Sequence, residues 1–130
     1  LMPRFMKSIE QQVRKLSNNR DGIIVRAIKI EGTNPELKQI WNFLVDQVGE
    51  FNPRNGESPI KGVAIDPLSG HYLLATPYGI MTAAFGDWVL ESGSGAWIPC
   101  TTTHVEEGWT EVITHARLVD VGIVSFANGE

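Results

Sequence analysis

One cysteine and one histidine, Cys100 and His104, lie four positions apart. On a helix they would share a face, and a thiolate beside an imidazole is the usual form of an activated cysteine nucleophile. The pair therefore defines one functional alternative, a small hydrolase. Pro99 and the threonines of 101–103 are poor helix formers, however, so a buried structural cysteine is the favoured interpretation.

Two further histidines, His71 and His115, could extend this pair to a Cys/His zinc site. The sequence has no Cys-x-x-Cys and no His-x-x-x-His pair, which are typical zinc-binding spacings, so we expect neither a metal nor a cofactor. Glu106 and Glu107 are adjacent, and adjacent side chains generally point apart. They are therefore expected to be solvated rather than to form an acid/base pair.

Gly86 and Asp87 are predicted to form a tight structural turn. Glycine tolerates positive φ, and an aspartate side chain can accept hydrogen bonds from nearby backbone N–H groups. The alternative is that Asp87 is catalytic or binds a metal.

Residues 88–90 and 96–98 are predicted to be adjacent antiparallel strands, closed by the Ser-Gly-Ser-Gly of 92–95. Side chains alternate between the two faces of a strand. If Glu91 marks the wetter face, Trp88 points into the core and Trp97 points outward.

An outward tryptophan needs cover from a terminal segment, a second subunit or a ligand. Trp97 and Trp109 are therefore predicted to contact a ligand or partner. A stacking pocket for a base or small ring, walled by Trp88, Trp97 and Trp109, is the alternative.

The sequence also predicts the helices and strands that position these residues. Apolar residues three or four apart predict an N-terminal helix over 4–16, and β-branched residues predict a strand over 23–30. The clearest helix begins near Asn34, which can act as the cap, and ends at Gly49. Its predicted apolar stripe consists of Leu37, Ile40, Trp41, Leu44 and Val48. Everything after the loop 50–59 reads as short strands separated by turns.

This order predicts an α+β fold, with a helix, a strand and a second helix followed by an antiparallel meander that could curl toward a barrel. The chain is expected to be one domain. Residues 1–20 are interpreted as a helical extension that folding of the rest does not require, 23–115 as the core and 116–130 as a C-terminal extension.

Charge and composition exclude some classes of function. The 130 residues carry a formal net charge of −4, which argues against a general nucleic-acid binder. No apolar run approaches the roughly 18 residues of a membrane span, so no membrane partner is expected. A single cysteine fits a reducing compartment, and we expect a cytoplasmic location in a bacterial host.

Two stretches resemble a family of small uncharacterised proteins of tailed phages and prophages. Residues 23–44, "IIVRAIKIEGTNPELKQIWNFL", are similar to its opening strand and helix. Residues 73–112 contain its Gly-Asp-aromatic and Pro-Cys β-hairpin motif, here "GDWVLESGSGAWIPC". The chain departs from the pattern at Phe85, where proline is usual, and at Ala96, where glutamate is usual. The resemblance implies a phage-associated accessory protein and implies no known activity.

Together these features predict a phage or prophage accessory protein that acts by binding a protein or small ligand rather than by catalysis. A homodimer is among the assemblies left open. The alternative is a small hydrolase that uses Cys100 with His104.

Overall fold

The computed structural model describes residues 6–113. Within this range, three helices and eight strands follow one another, with a short 3-10 turn at Pro53–Asn55. In order they are α1 Ile9–Gln12, β1 Val13–Asn18, β2 Ile24–Lys29, α2 Asn34–Val48, β3 Gly62–Ile65, β4 Tyr72–Thr76, β5 Gly79–Ala83, β6 Trp88–Glu91, β7 Trp97–Cys100, α3 Thr102–Gly108 and β8 Trp109–Glu111.

The strands form two antiparallel sheets, which confirms the predicted α+β class. One sheet has five strands in the order β7-β6-β2-β1-β8, and the other has three in the order β3-β4-β5. Neither sheet closes into a barrel. Among residues 6–113, no helix has both the length and the apolar content that crossing a bilayer requires.

The helix predicted over 4–16 is wrong for most of its length. The described helix α1 has only four residues, and β1 follows it directly, paired with β2 on one side and β8 on the other. Val13 packs in the core beneath α2, whereas Leu16 is buried on the opposite face of the sheet. Residues three apart point to opposite faces of a strand. A strand that is buried on both faces can therefore carry apolar residues at the three-residue spacing that also indicates a helix.

Helix α2 follows its sequence signals closely. Its N-cap is Thr33 rather than Asn34. The Thr33 hydroxyl accepts a hydrogen bond from the Glu36 backbone N–H, and the Glu36 carboxylate accepts one from the Thr33 backbone N–H. Gly49, with φ of 80°, ends the helix. The predicted apolar stripe is buried at Ile40, Leu44 and Val48.

Apolar side chains form one large core and one smaller core on opposite faces of the five-stranded sheet. The large core lies between this sheet, α2 and the three-stranded sheet, and consists of Ile28, Ile30, Ile40, Leu44, Val48, Val63, Tyr72, Leu74, Ala83, Val89 and Trp97. The smaller core lies beneath α3 and consists of Leu16, Ala27, Trp88, Leu90 and Val105.

The predicted hairpin is confirmed: β6 and β7 pair, with Trp88 opposite Cys100 and Glu91 opposite Trp97. The prediction that Trp97 lies on the outer face is wrong, because Trp97 is 1% exposed in the large core. Glu91 does not mark the wetter face. Its carboxylate binds the Arg26 guanidinium at 2.8 Å, and that guanidinium lies over the Trp97 ring.

The threonine-rich stretch after Cys100 forms a helix, although its composition disfavours one. The Thr101 side chain accepts a hydrogen bond from the backbone N–H of His104 and caps α3. The Thr102 hydroxyl donates to the Gly86 carbonyl at 2.7 Å, which attaches the start of α3 to the turn before β6. One or two strands are expected from the sequence over 108–126; β8 is one of them, and the part of this stretch beyond residue 113 lies outside the described residues.

Candidate binding site

Cys100 and His104 lie on two different elements of the fold. Cys100 ends β7 opposite Trp88, and His104 is exposed on α3. Within the described range of 6–113, no hydrogen bond joins the two side chains. Burial raises the pKa of the Cys100 thiol, and the negative charge of Asp87 raises it further. The thiol therefore lacks the electropositive surroundings that would favour a thiolate.

Gly86 and Asp87 form the turn between β5 and β6. Gly86 has φ of 97°, a value that L side chains rarely adopt. The Asp87 carboxylate accepts a hydrogen bond from the Ala84 backbone N–H at 2.9 Å, and the Gly86 N–H donates to the Ile30 carbonyl. These bonds give Asp87 a turn-forming role.

The other residues that could ligate a metal are dispersed. In the described part of the chain, no three histidine, cysteine, aspartate or glutamate side chains are grouped closely enough to hold a metal ion. Glu106 and Glu107 are exposed on α3. His115 lies outside the described residues, so its place in a Cys/His set stays a prediction.

The three tryptophans of the predicted stacking pocket are divided between the two cores. Trp97 packs edge-on against Phe43, with ring centroids 5.4 Å apart, and in this position it has no surface to offer a partner. Trp88 is buried in the smaller core, and the half-buried Trp109 packs against that core. A contact role for Trp109 stays a prediction.

The aromatic groove of this molecule lies elsewhere. An open groove of about 450 Å³ runs between the outer side of α2, the segment after it and strand β3. This volume lies within the usual range of small-molecule sites, about 300–1,000 Å³. Its lining residues are Trp41, Glu50, Phe51, Asn52, Pro53, Ala64 and Ile65.

Local backbone geometry places Phe51 in this groove. After α2 ends, the Phe51 N–H donates to the Val63 carbonyl, and the Val63 N–H donates to the Gly49 carbonyl. These bonds attach the segment to the edge of β3. Gly62 is required beside the ring, because a Cβ at this position would lie 2.9 Å from a Phe51 ring carbon.

Trp41 also lines the groove, and its ring packs against Tyr72. Its ring centroid lies 5.7 Å from that of Tyr72, with the planes tilted by 59°. The Tyr72 hydroxyl donates to the Leu37 carbonyl at 3.1 Å, and burial raises the pKa of this phenol. Tyr72 is therefore expected to stay neutral and to fix the position of Trp41 near neutral pH.

The polar side chains that line the groove are the negatively charged Glu50 and the neutral Asn52. Glu50 is exposed, and its carboxylate makes no ion pair or hydrogen bond with any residue between 6 and 113. The Asn52 side-chain oxygen is occupied, since it accepts a hydrogen bond from the Arg54 backbone N–H at 2.9 Å. Trp41, Phe51 and Glu50 thus line the same groove, with Phe51 largely buried against Ala64 and Ala75.

Sequence reasoning did not identify this groove. It assigned Trp41 to the buried stripe of α2 and treated residues 50–59 as a loop of turn formers. The available signal was Phe51, an aromatic residue inside a stretch otherwise rich in turn residues, directly after a helix. Only the pairing with β3 brings Phe51 to the same groove as Trp41.

Comparison with known proteins gives no match to a family model, a curated protein or a solved structure. The likeness to phage and prophage proteins therefore depends on the hairpin motif and the opening strand and helix alone.

Proposed function

We propose that this chain is a phage or prophage-type accessory protein that acts by binding, and that its groove between Trp41 and Phe51 receives an apolar side chain of a partner protein. The observation that carries the proposal is the pair of aromatic walls around an open space of about 450 Å³. Aromatic side chains contribute much of the binding energy at protein interfaces because they bury a large area with little loss of conformational freedom.

The rim of the groove favours a protein partner over a small enclosed ligand. Ile65 lines the groove and is 47% exposed. A shallow groove lined by an exposed aliphatic residue offers a surface that an extended peptide can cover. A small molecule would leave this rim in water.

Charge defines the partner further. Glu50 lines the groove and has no cation beside it among the described residues. A lysine or arginine next to the inserted apolar residue would pair with this carboxylate and improve specificity. The expected partner motif is therefore an aromatic or large aliphatic residue followed or preceded by a basic residue.

Catalysis by Cys100 and His104 has no comparable support. The thiol is half-buried with a raised pKa, and the imidazole is exposed on another element.

Selection from a random peptide library displayed on filamentous phage tests this proposal. The expected result is enrichment of peptides that combine an aromatic residue with an adjacent lysine or arginine. Ile65→Ser and Glu50→Gln should each weaken binding of a selected peptide. Ile80→Ser is the matched control, because Ile80 is 43% exposed and lies outside the groove.

Failure to enrich such a motif contradicts the proposal. An equal loss of binding in Ile65→Ser and Ile80→Ser also contradicts it, since the peptide would then be recognised elsewhere. Circular dichroism melts of each variant establish that binding, rather than folding, has changed.

A further inference from the structure

Asn55 is the one asparagine among residues 6–113 that precedes a glycine. An asparagine side chain can lose ammonia when the backbone nitrogen of the next residue attacks its amide carbon. Glycine permits this attack best, because it has no side chain to hinder the approach and its backbone is the most adaptable. Asn34 and Asn52 precede prolines, which have no N–H to supply the nucleophile.

The segment that carries Asn55 is exposed and held by few bonds. It is the end of the short 3-10 turn Pro53–Asn55, and every residue from 54 to 58 is exposed. The Asn55 N–H donates to the Asn52 carbonyl at 3.2 Å, which is the long end of the usual range for such a bond. A segment with few hydrogen bonds and little burial opens locally at a low cost in free energy.

Neither of the two groups that would react is engaged. The Asn55 side chain makes no hydrogen bond with any residue between 6 and 113, and the Gly56 N–H meets no acceptor there at hydrogen-bonding distance and angle. A Cβ built at Gly56 would meet nothing within 4 Å. The backbone nitrogen and the side-chain carbon therefore have room to approach each other once the turn opens.

The turn between β1 and β2 shows the opposite arrangement. Asp21 and Gly22 are also exposed. However, the Gly22 N–H donates to the Asn18 carbonyl at 2.8 Å, and the Asp21 carboxylate accepts a hydrogen bond from the Ile23 N–H at 2.9 Å. Both positions are restrained at this turn. Exposure is common to the two turns, so hydrogen bonding is what distinguishes them.

We propose that Asn55 is a site of spontaneous deamidation in the folded protein. The Gly56 nitrogen forms a bond to the side-chain amide carbon of Asn55, and the bond from that carbon to its own nitrogen breaks. Ammonia leaves with the proton that the Gly56 amide gives up. Water then opens the cyclic imide at either of its carbonyl carbons. The product is an aspartate or an isoaspartate, and the reaction needs no oxidant or reductant.

The reaction changes the charge and the backbone beside the groove. Asn52 and Pro53 belong to the same turn and line the groove, so the new carboxylate lies close to it in the chain. Isoaspartate also inserts one additional carbon into the main chain. The inference does not rest on the proposed function, because the reaction proceeds whether or not the groove binds a peptide.

Peptide mapping by mass spectrometry tests the inference on the full chain, incubated at neutral pH in water enriched in heavy oxygen. Digestion under acidic conditions suppresses further reaction. The expected result is a deamidated fraction at Asn55 that grows with time and carries one heavy oxygen, while Asn19 and Asn42 stay intact. The pair Asn128 and Gly129 lies outside the described residues and is scored separately.

Asn55→Gln should abolish the reaction at this position, because the longer side chain would have to close a larger and less favourable ring. The residue is exposed and its side chain makes no hydrogen bond within 6–113, so folding should persist. A thermal melt by circular dichroism checks this.

Asp21→Asn is the matched control, because it creates an exposed Asn-Gly pair in the hydrogen-bonded turn. Both pairs then follow an arginine, Arg20 or Arg54. An asparagine oxygen can accept the Ile23 N–H bond as the carboxylate does. The asparagine introduced at position 21 should react at least about tenfold more slowly than Asn55 in the native protein, because its turn must first break these bonds. In urea the two rates should become similar.

Three results would overturn the inference. An Asn55 amide that stays intact in the native protein but reacts in urea would show that the turn protects it. Equal native rates at Asn55 and at the Asp21→Asn position would show that hydrogen bonding does not select the site. Comparable deamidation at Asn19 and Asn42 would show general hydrolysis rather than a site.

Discussion

Each face of the five-stranded sheet buries a tryptophan, and the two faces are covered differently. Trp97 lies in the large core with α2 and the three-stranded sheet and is 1% exposed. Trp88 lies in the smaller core with the short helix α3 and is 8% exposed. Both residues come from the same hairpin, so their difference reflects what lies above each face.

In a strand, which residues share a face and which face is more deeply buried are determined by different parts of the chain. Alternation correctly groups Trp88 with Cys100 and Trp97 with Val89. It does not say which group lies deeper, because α2 and α3 supply the cover from outside the hairpin. A polar residue such as Glu91 is also an unreliable marker when a neighbouring strand supplies Arg26 to neutralise it.

Removal of residues 1–20 should have the largest effect, with loss of cooperative unfolding. The deletion takes away β1, so that β8 loses its partner strand, β2 keeps only β6, and part of both cores is exposed. This reverses the expectation from the sequence that folding does not require residues 1–20. The measurement is a thermal melt by circular dichroism. Lys15→Ala, an exposed change on the same strand, is the control and should melt like the parent. A cooperative melt of the truncated protein would show that β1 is dispensable.

Trp97→Ala should be the most destabilising of the single substitutions considered, by about 4–5 kcal/mol, because it leaves a large cavity in the main core. Trp88→Ala should cost less, about 2–3 kcal/mol, since its core is smaller and partly open to solvent. Urea unfolding of both variants provides the comparison. If Trp88→Ala is the more damaging change, the smaller core is the more important one for stability.

Cys100→Ala should lower the free energy of unfolding by about 1 kcal/mol through lost packing beside Trp88. The native thiol should also react slowly with iodoacetamide, because burial and the nearby Asp87 charge raise its pKa. Alkylation in denaturant supplies the reference rate. Fast native labelling with no change in stability would instead support a reactive cysteine and restore the hydrolase alternative.

The smallest expected effect is the pH dependence of stability that the Arg26–Glu91 ion pair contributes, with Arg26 lying over the Trp97 ring. Hydrogen bonds from Arg26 hold the pKa of Glu91 below its ordinary value, although partial burial opposes them. A lowered folded pKa means that the pair stabilises the protein above the unfolded pKa of about 4.3 and that this contribution is lost as the pH falls through the folded pKa.

Both side chains are about one-third exposed, so the contribution should be below about 1 kcal/mol. Urea unfolding from about pH 3 to pH 7 measures it. Glu91→Gln should flatten this part of the pH dependence. An unchanged pH profile in that variant would show that the pair contributes nothing to stability.

The N-terminal strand and the groove show why part of the structure could not be predicted. The spacing of Val13 and Leu16 suits a helix face and also a strand buried on both sides, and only the pairing of β1 with β2 and β8 decides between them. Likewise, Phe51 is an aromatic residue in a loop until its backbone pairs with Val63 and places it in the groove that Trp41 also lines.

The sequence by itself determined the α+β class, helix α2 and the hairpin of β6 and β7. These depend on local physics: a capping residue near Asn34, the positive φ available to Gly49 and Gly95, and strand alternation. Only the tertiary structure decided the depth of Trp97, the placement of Cys100 and His104 on different elements, and the position of the groove. These depend on which distant elements cover a surface, and no local propensity encodes that choice.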